Sequence, residues 1–292
     1  MNGRMGESVD VLDRDAATPR RLAAQQLFAC QGAEFRRLAE AWRSAPDDEE
    51  ALHRLRIGLR RFRVLLRVFE ADTLDHGGRT LRASLSALGD RLGVVRDHDV
   101  MLAQLRKAER KLDDSAPEEV AAVESRLRVR RQAAWRKVQG GLRGRAWIRT
   151  FALTDRFVAR FAADPPETNP QTVGGFFDKE FKKHVRKIRR SAALADAVDV
   201  ESLHQFRIRL RRLRYLGDLF APLADRRLAK TITLVHDAEQ SLGRVHDLDL
   251  ALAFLDGQAG LRAVGLRAHW EGLRARRLRR FQRAWAICRR RL

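Results

Sequence analysis

The sequence predicts an all-α protein built in two similar halves, and three observations lead there. Ala, Leu, Arg and Glu dominate, apolar residues recur at intervals of three and four, and no segment shows the sustained alternation of a strand. Proline, glycine and acidic clusters divide the chain into about eight helical segments. One of those segments occurs twice. Residues 52–69 (LHRLRIGLRRFRVLLRVF) recur as 203–220 (LHQFRIRLRRLRYLGDLF), with 10 of 18 positions identical. The shared set includes His53/His204 and the pairs Arg56/Arg207, Arg60/Arg211, Arg61/Arg212 and Arg63/Arg214.

Taken in order, residues 1–17 are polar and mildly acidic and read as a frayed arm. A first helix is expected from Pro19 to Ser44. Pro46-Asp47-Asp48-Glu49-Glu50 then supplies a cap and negative charge at the positive end of a second helix, which carries the first signature to about Asp72. A third runs from about Arg79 to Leu112. A fourth, opened at Ser115-Ala116-Pro117, should break around Gly140-Gly141 and Gly144. Three of the seven prolines fall in Asp164-Pro165-Pro166-Glu167-Thr168-Asn169-Pro170, a linker. After it the plan repeats: Val173–Leu194, then a helix after Asp199 carrying the second signature to Phe220, then Asp225–Leu255, then Leu261 to the end. Residues 18–292 are thus expected to form one domain, with halves 18–163 and 172–292 about a linker at 164–171.

A second repeated motif supports duplication. Leu92-Gly93-Val94-Val95-Arg96-Asp97-His98-Asp99 matches Leu242-Gly243-Arg244-Val245-His246-Asp247-Leu248-Asp249. The spacing from His53 to Asp97 is 44 residues and from His204 to Asp247 is 43. Two motifs in one order at nearly one separation indicate a common origin.

The charge balance narrows the function. Lys and Arg total 59 against 38 Asp and Glu, a formal net charge of +21. A field this positive invites a polyanion: nucleic acid, an anionic surface or a phosphate polymer. Two cysteines near opposite ends make neither a disulfide framework nor a metal cluster, consistent with a reducing cytosol. No apolar run approaches a membrane span, and the first residues lack the cationic-then-apolar order of a signal peptide.

On a helical wheel with His53 at zero, Arg60, Arg67, Arg56 and Arg63 fall within about 80° of it. Leu55, Leu59, Phe62, Leu65, Leu66 and Phe69 take the opposite side. In the second half His204, Arg207, Arg211 and Arg214 hold equivalent places, with Tyr215 at the edge and Asp218 where the first half has Arg67. A merely solvated face mixes signs, because like charges one turn apart repel. Stacked arginines cost stability until an anion arrives, and the guanidinium fork suits two phosphate oxygens. Arg61 and Arg212 lie at the margin of the stripe. The paired aspartates, Asp97/Asp99 and Asp247/Asp249, point about 200° apart within each pair, so they do not converge on one metal ion. One Asp of each pair is expected instead to anchor an arginine of the signature helix and fix its fork from behind, so Asp97, Asp99, Asp247 and Asp249 are all candidates for that role. The Arg-rich run 274–291 is amphipathic and is expected mostly to cover a core. No Gly-rich phosphate loop, nucleophile elbow, Cys-x-x-Cys or acidic metal cluster offers catalysis. No catalytic residue, metal ligand or cofactor is expected.

The pattern His-x-x-Arg-x-x-x-Arg-Arg-x-Arg, followed by Leu-Gly-x-x-Arg-Asp-x-Asp in the first half, resembles the conserved histidine α-helical domain, CHAD. The resemblance spans nearly all of the chain after the arm. It implies two four-helix bundles related by pseudo-twofold symmetry, with basic faces lining a central surface or pore. It also implies non-enzymatic binding of inorganic polyphosphate, cytoplasmic location at polyphosphate granules, and a targeting or scaffolding role. A separate polyphosphate-metabolising enzyme or granule protein would be a partner, and no membrane is involved. The Glu-x-Glu-x-Lys motif of the triphosphatase barrel often fused to such domains does not occur in these 292 residues, so a stand-alone module is expected. The ligands it implies are His53, Arg56, Arg60, Arg61 and Arg63, and His204, Arg207, Arg211, Arg212 and Arg214, to which the wheel adds Arg67. The alternative is a nucleic-acid backbone binder using the same stripe. It is the weaker reading because the few Tyr and Trp residues fall mostly on apolar faces.

Overall fold

The computed structural model describes residues 15–112, 117–142, 144–165, 171–196, 198–258 and 263–292. Most of the expected arm (1–14) and linker (166–170) lies outside the described residues, as does Ser115-Ala116. Among the described residues every regular element is helical: α1 Arg20–Ser44, α2 Glu49–Val68, α3 Glu70–Thr73, α4 Gly78–Glu109, α5 Pro117–Leu142, α6 Arg145–Ala162, α7 Val173–Arg190, α8 Ala193–Asp196, α9 Val200–Leu219, α10 Arg226–Asp256 and α11 Val264–Arg289, with a 3-10 turn at Ala221–Leu223. The fold is all-α, as the periodicity indicates.

The boundaries follow local chemistry. Asp48 accepts from the Glu50 amide at 2.8 Å and opens α2, and Asp199 does the same for the Ser202 amide at the start of α9. The expected break after Gly140-Gly141 separates α5 from α6. Helix α7 ends at Arg190 rather than continuing to Leu194. There the Ser191 hydroxyl turns back to the Lys187 and Ile188 carbonyls at 3.0 and 3.1 Å, competing with the helical ladder.

The chain divides into two compact units that are not the two sequence halves. The first comprises Met1–Gly93, Val138–His184 and Tyr215–Ile232; the second comprises Val94–Lys137, Val185–Arg214 and Thr233–Leu292. Each unit therefore draws on both halves.

In the first unit the apolar face of α2 is the centre of the core: Leu55, Leu59, Phe62, Leu65, Leu66 and Phe69 are each at most 1% exposed. Phe28 of α1 meets Phe62, Phe69, Phe157 and Phe161 with ring centroids 6.1, 6.0, 4.9 and 5.1 Å away. Phe69 also stacks on Phe176 of α7 at 5.0 Å. Burying this aromatic cluster fixes the rotation of α2 and hence the direction of its opposite, cationic face.

In the second unit Met101, Leu102 and Leu105 of α4 pack with Val123 and Leu127 of α5, Leu248 of α10, and Leu266 and Trp270 of α11. Phe206 of α9 packs edge-on against Trp285 at 4.8 Å. Buried Leu278, Phe281 and Trp285 bear out the core-covering reading of the C-terminal run. Helix α11 has no cap from its own N-cap residue, Ala263. The Glu119 carboxylate of α5 serves instead, accepting from the Val264, Gly265 and Leu266 amides at 3.1, 3.1 and 3.2 Å.

Candidate functional site

Most of the signature arginines are half-buried rather than free in solvent. In the first unit the cationic stripe of α2 lies along α4. Arg56 Nη1 approaches Gly93 so closely that a Cβ there would sit 2.9 Å from it, and a Cβ on Gly89 would sit 3.1 Å from Arg63 Nη1. Glycine one turn apart on α4 thus leaves space that guanidinium groups fill. Arg60 donates from Nη1 to the Tyr215 hydroxyl at 2.8 Å. Arg63 has no ion pair among the described residues. Its burial, together with the like charges of Arg60, Arg67 and Arg82, holds its guanidinium below the ordinary value, against the pull of Asp90. His53, Arg56, Arg60, Arg61 and Arg63 are half-buried, and Arg67 is exposed.

The second unit repeats the layout with different chemistry. Arg207 lies along Gly243, its Nη2 3.8 Å from where a Cβ would be. Arg211 Nε donates to Glu239 Oε1 at 3.2 Å, and Arg214 Nε stands 3.4 Å from Glu239 Oε2. The glutamate side chain is 12% exposed and the two arginines 22% and 13%, so the group is sheltered from water. Burial alone would raise the Glu239 carboxyl, but the charges of Arg214, Arg211 and Arg207 overcome it and hold it below the usual range. His204 stands 5.4 Å, centroid to centroid, from His246. Burial and the charges of Arg207, His204 and Arg211 hold His246 down at about 3, so its ring is neutral at physiological pH. His204 is half-buried and Arg212 exposed.

The second aspartate of each pair serves a neighbouring helix. Asp99 binds Arg131 of α5 at 2.5 Å, and Asp249 binds Arg274 of α11 at 2.5 Å. Neither holds a signature arginine. Residues two apart on a helix face opposite ways, so within the second unit the first aspartate of the pair is turned from α11 toward the side of Arg207. Asp247 is that residue. Burial raises its carboxyl while Arg207, Arg277 and Arg96 pull the other way and Asp97 adds to the rise. The second aspartates instead fasten α4 to α5 and α10 to α11.

Tyr215 is 5% exposed and is brought to Arg60. Sequence reasoning did not single out Gly89, Glu239, Arg82 or His246. The two repeats, aligned on Leu92/Leu242 and read three residues upstream, contain the Gly89/Glu239 difference. Nothing in the sequence alone says that this position meets the signature helix.

No group of three or more His, Cys, Asp or Glu side chains among the described residues could hold a metal ion. No helix among them is long and apolar enough to cross a membrane. A cavity of about 450 Å³ in the first unit, lined by Ser84, Leu88, Arg91, Trp147, Arg149 and Thr150 among others, includes none of the signature residues.

Comparison with known proteins agrees with this architecture. The family model described as the CHAD domain matches residues 26–256. Two uncharacterised proteins of Mycobacterium tuberculosis are 31% and 30% identical over 225 residues, 71% of this chain. The chain spans only 42% of the length of these curated relatives. Among solved structures, the CHAD domain from the plant Ricinus communis superposes with a TM-score of 0.74 at 21% identity, covering 97% of this chain and 96% of that one. PptA from Streptomyces chartreusis gives 0.66 at 19% identity, covering 94% and 98%. These two likenesses carry the fold. With both repeated motifs inside the matched span, the chain belongs to the CHAD domain family.

Proposed function

We propose that this protein binds inorganic polyphosphate without catalysing a reaction on it, through the His53–Arg67 and His204–Arg214 faces of α2 and α9. The ligands in this reading are His53, Arg56, Arg60, Arg61, Arg63, Arg67, His204, Arg207, Arg211, Arg212 and Arg214. The observation that carries it is the first cluster. Arg60 donates to a neutral hydroxyl, and Arg63 is half-buried among like charges with no carboxylate at ion-pair distance among the described residues. Holding guanidinium groups together this way costs stability that an arriving anion restores. Phosphate oxygens match the fork geometry. Family membership supports the same ligand, and the duplication of the two faces belongs to this proposal. So do a cytoplasmic location on polyphosphate granules and a role in targeting or scaffolding a separate polyphosphate-metabolising enzyme.

The test is a titration with long-chain polyphosphate and, separately, with single-stranded RNA of equal charge at about 150 mM salt, where diffuse attraction is largely screened. The variant Arg56→Ala/Arg60→Ala/Arg207→Ala/Arg211→Ala runs beside the wild type. Polyphosphate-preferring binding that rises with chain length and is lost in the variant supports the proposal. Equal binding of the two polymers, or no loss in the variant, overturns it in favour of diffuse charge attraction. Phosphate release in the presence of magnesium would overturn the non-catalytic part.

A further inference from the structure

The two signature faces have the same arginines in different electrostatic settings. Position 89 of α4 is glycine, and its repeat counterpart on α10 is Glu239. At the first, Arg63 Nη1 closes on bare backbone. At the second, a carboxylate reaches out to Arg211 and to Arg214, the counterpart of Arg63. The charged groups acting on Arg63 are Asp90, Arg60, Arg67 and Arg82. The counterparts of Arg67 and Arg82 are Asp218 and Ile232, both less positive. Asp90 is matched by Gln240, the one change in the other sense, and Asp90 is exposed. Arg82 is itself paired with Glu70 at 3.1 Å. With Arg82 so paired, the first cluster still keeps Arg60, Arg63 and Arg67 without a carboxylate at ion-pair distance among the described residues, while the second contains its own anion.

We infer that the two clusters are unequal anion sites: the Arg60/Arg63/Arg67 cluster is the primary seat for phosphate, and the Glu239 carboxylate occupies the corresponding place beside Arg211 and Arg214, where an incoming phosphate must displace it. This rests on the polyphosphate-binding reading and ranks its two faces. The carboxylate accepts from Arg211 and stands in ion-pair contact with Arg214, on guanidinium groups that a phosphate would also use. Glu239 is therefore an internal competitor. Its single negative charge offsets part of the positive charge of two half-buried arginines in the free protein and weakens the second face toward small anions. A single short phosphate chain fills the first cluster alone. A long chain offers many phosphate groups per molecule with which to compete against Glu239.

The experiment is a calorimetric titration with tripolyphosphate and with long-chain polyphosphate, using wild type, Arg63→Ala, Glu239→Gln and Arg214→Ala/Glu239→Gln. The double variant avoids stranding a buried carboxylate, and circular dichroism confirms that each variant is folded. Wild type is expected to bind one equivalent of tripolyphosphate. Arg63→Ala should weaken that binding by about tenfold, the scale of one charge-assisted contact. Glu239→Gln should tighten binding of long chains by roughly three- to tenfold and steepen its salt dependence by about one phosphate contact. Arg214→Ala/Glu239→Gln should lose at most about a third as much tripolyphosphate affinity, in fold terms, as Arg63→Ala. Equal losses at Arg63 and Arg214, with no gain from Glu239→Gln, overturn the inequality. The same ranking of variants with equal binding of RNA supports the inequality while overturning the choice of polyphosphate. Wild type that binds neither polyanion overturns both.

Discussion

Arg60 donates a guanidinium hydrogen to the Tyr215 hydroxyl at 2.8 Å, across 155 residues of sequence. The bond joins a residue of the first repeated segment to one of the second within a single compact unit. It orients an arginine fork without neutralising it. Tyr215→Phe removes only the acceptor. The expected outcome is a loss of about 0.5–1.5 kcal/mol in stability by urea unfolding, the usual net worth of such a bond. Polyphosphate affinity should fall roughly two- to fivefold because Arg60 is no longer pre-positioned. An unchanged affinity would mean that the tyrosine acts only in packing.

The two Leu-Gly glycines should respond differently to the same substitution. A methyl at Gly93 would meet Arg56 Nη1 at 2.9 Å, whereas one at Gly243 would lie at ordinary contact distance, 3.8 Å, from Arg207. The helix-propensity gain from Gly→Ala is up to about 1 kcal/mol. Gly243→Ala should therefore raise the melting temperature slightly and keep polyphosphate affinity within about twofold. Gly93→Ala should change stability by no more than about 1 kcal/mol, because a flexible side-chain tip can yield, yet lower affinity several-fold by displacing the Arg56 fork. Melting curves paired with titrations separate the two effects.

Glu119 caps α11 from another helix, and its removal should be structural only. Glu119→Ala leaves three helix-terminal amides without their carboxylate. A loss of about 1–2 kcal/mol is expected from the cap and the helix dipole. Amide hydrogen exchange should quicken in the first turn of α11, with polyphosphate binding unaltered.

Stability should depend on pH through His246 and Glu239. The unfolded chain protonates His246 near its ordinary value of 6.5, while the folded chain resists until about 3. Folding stability should therefore fall as pH drops from about 6.5 toward 3. Glu239 is held below its ordinary 4.5, so its contribution is present above that value and lost as pH falls below it. Urea midpoints measured from pH 8 to pH 4 should decline below about 6.5 in the wild type. In His246→Gln the decline between about 6.5 and 4.5 should be shallower. An unaltered slope would remove His246 from the account.

Much of this was legible in local sequence. The period of Leu55, Leu59, Phe62, Leu65 and Leu66 places one face of α2 in a core, and that face is buried. The capping role of the 46–50 segment and the glycine break between α5 and α6 are both short-range properties. The partners of Asp99 and Asp249 were not legible. Each aspartate had several arginines within plausible reach, and only the packing of α4 against α5 and of α10 against α11 selects Arg131 and Arg274. The cap of α11 by Glu119 was hidden for the same reason.

The sequence by itself determined that this is an all-helical, strongly cationic chain in which one His/Arg segment recurs. Helical periodicity and repeat identity depend only on the order of residues. The tertiary structure decided which of those arginines already have an anion. A half-buried charge takes its energy from whatever the fold brings within a few ångströms. Glu239 brought to Arg211 and Arg214, Gly89 brought to Arg63 and Tyr215 brought to Arg60 are products of packing between different helices.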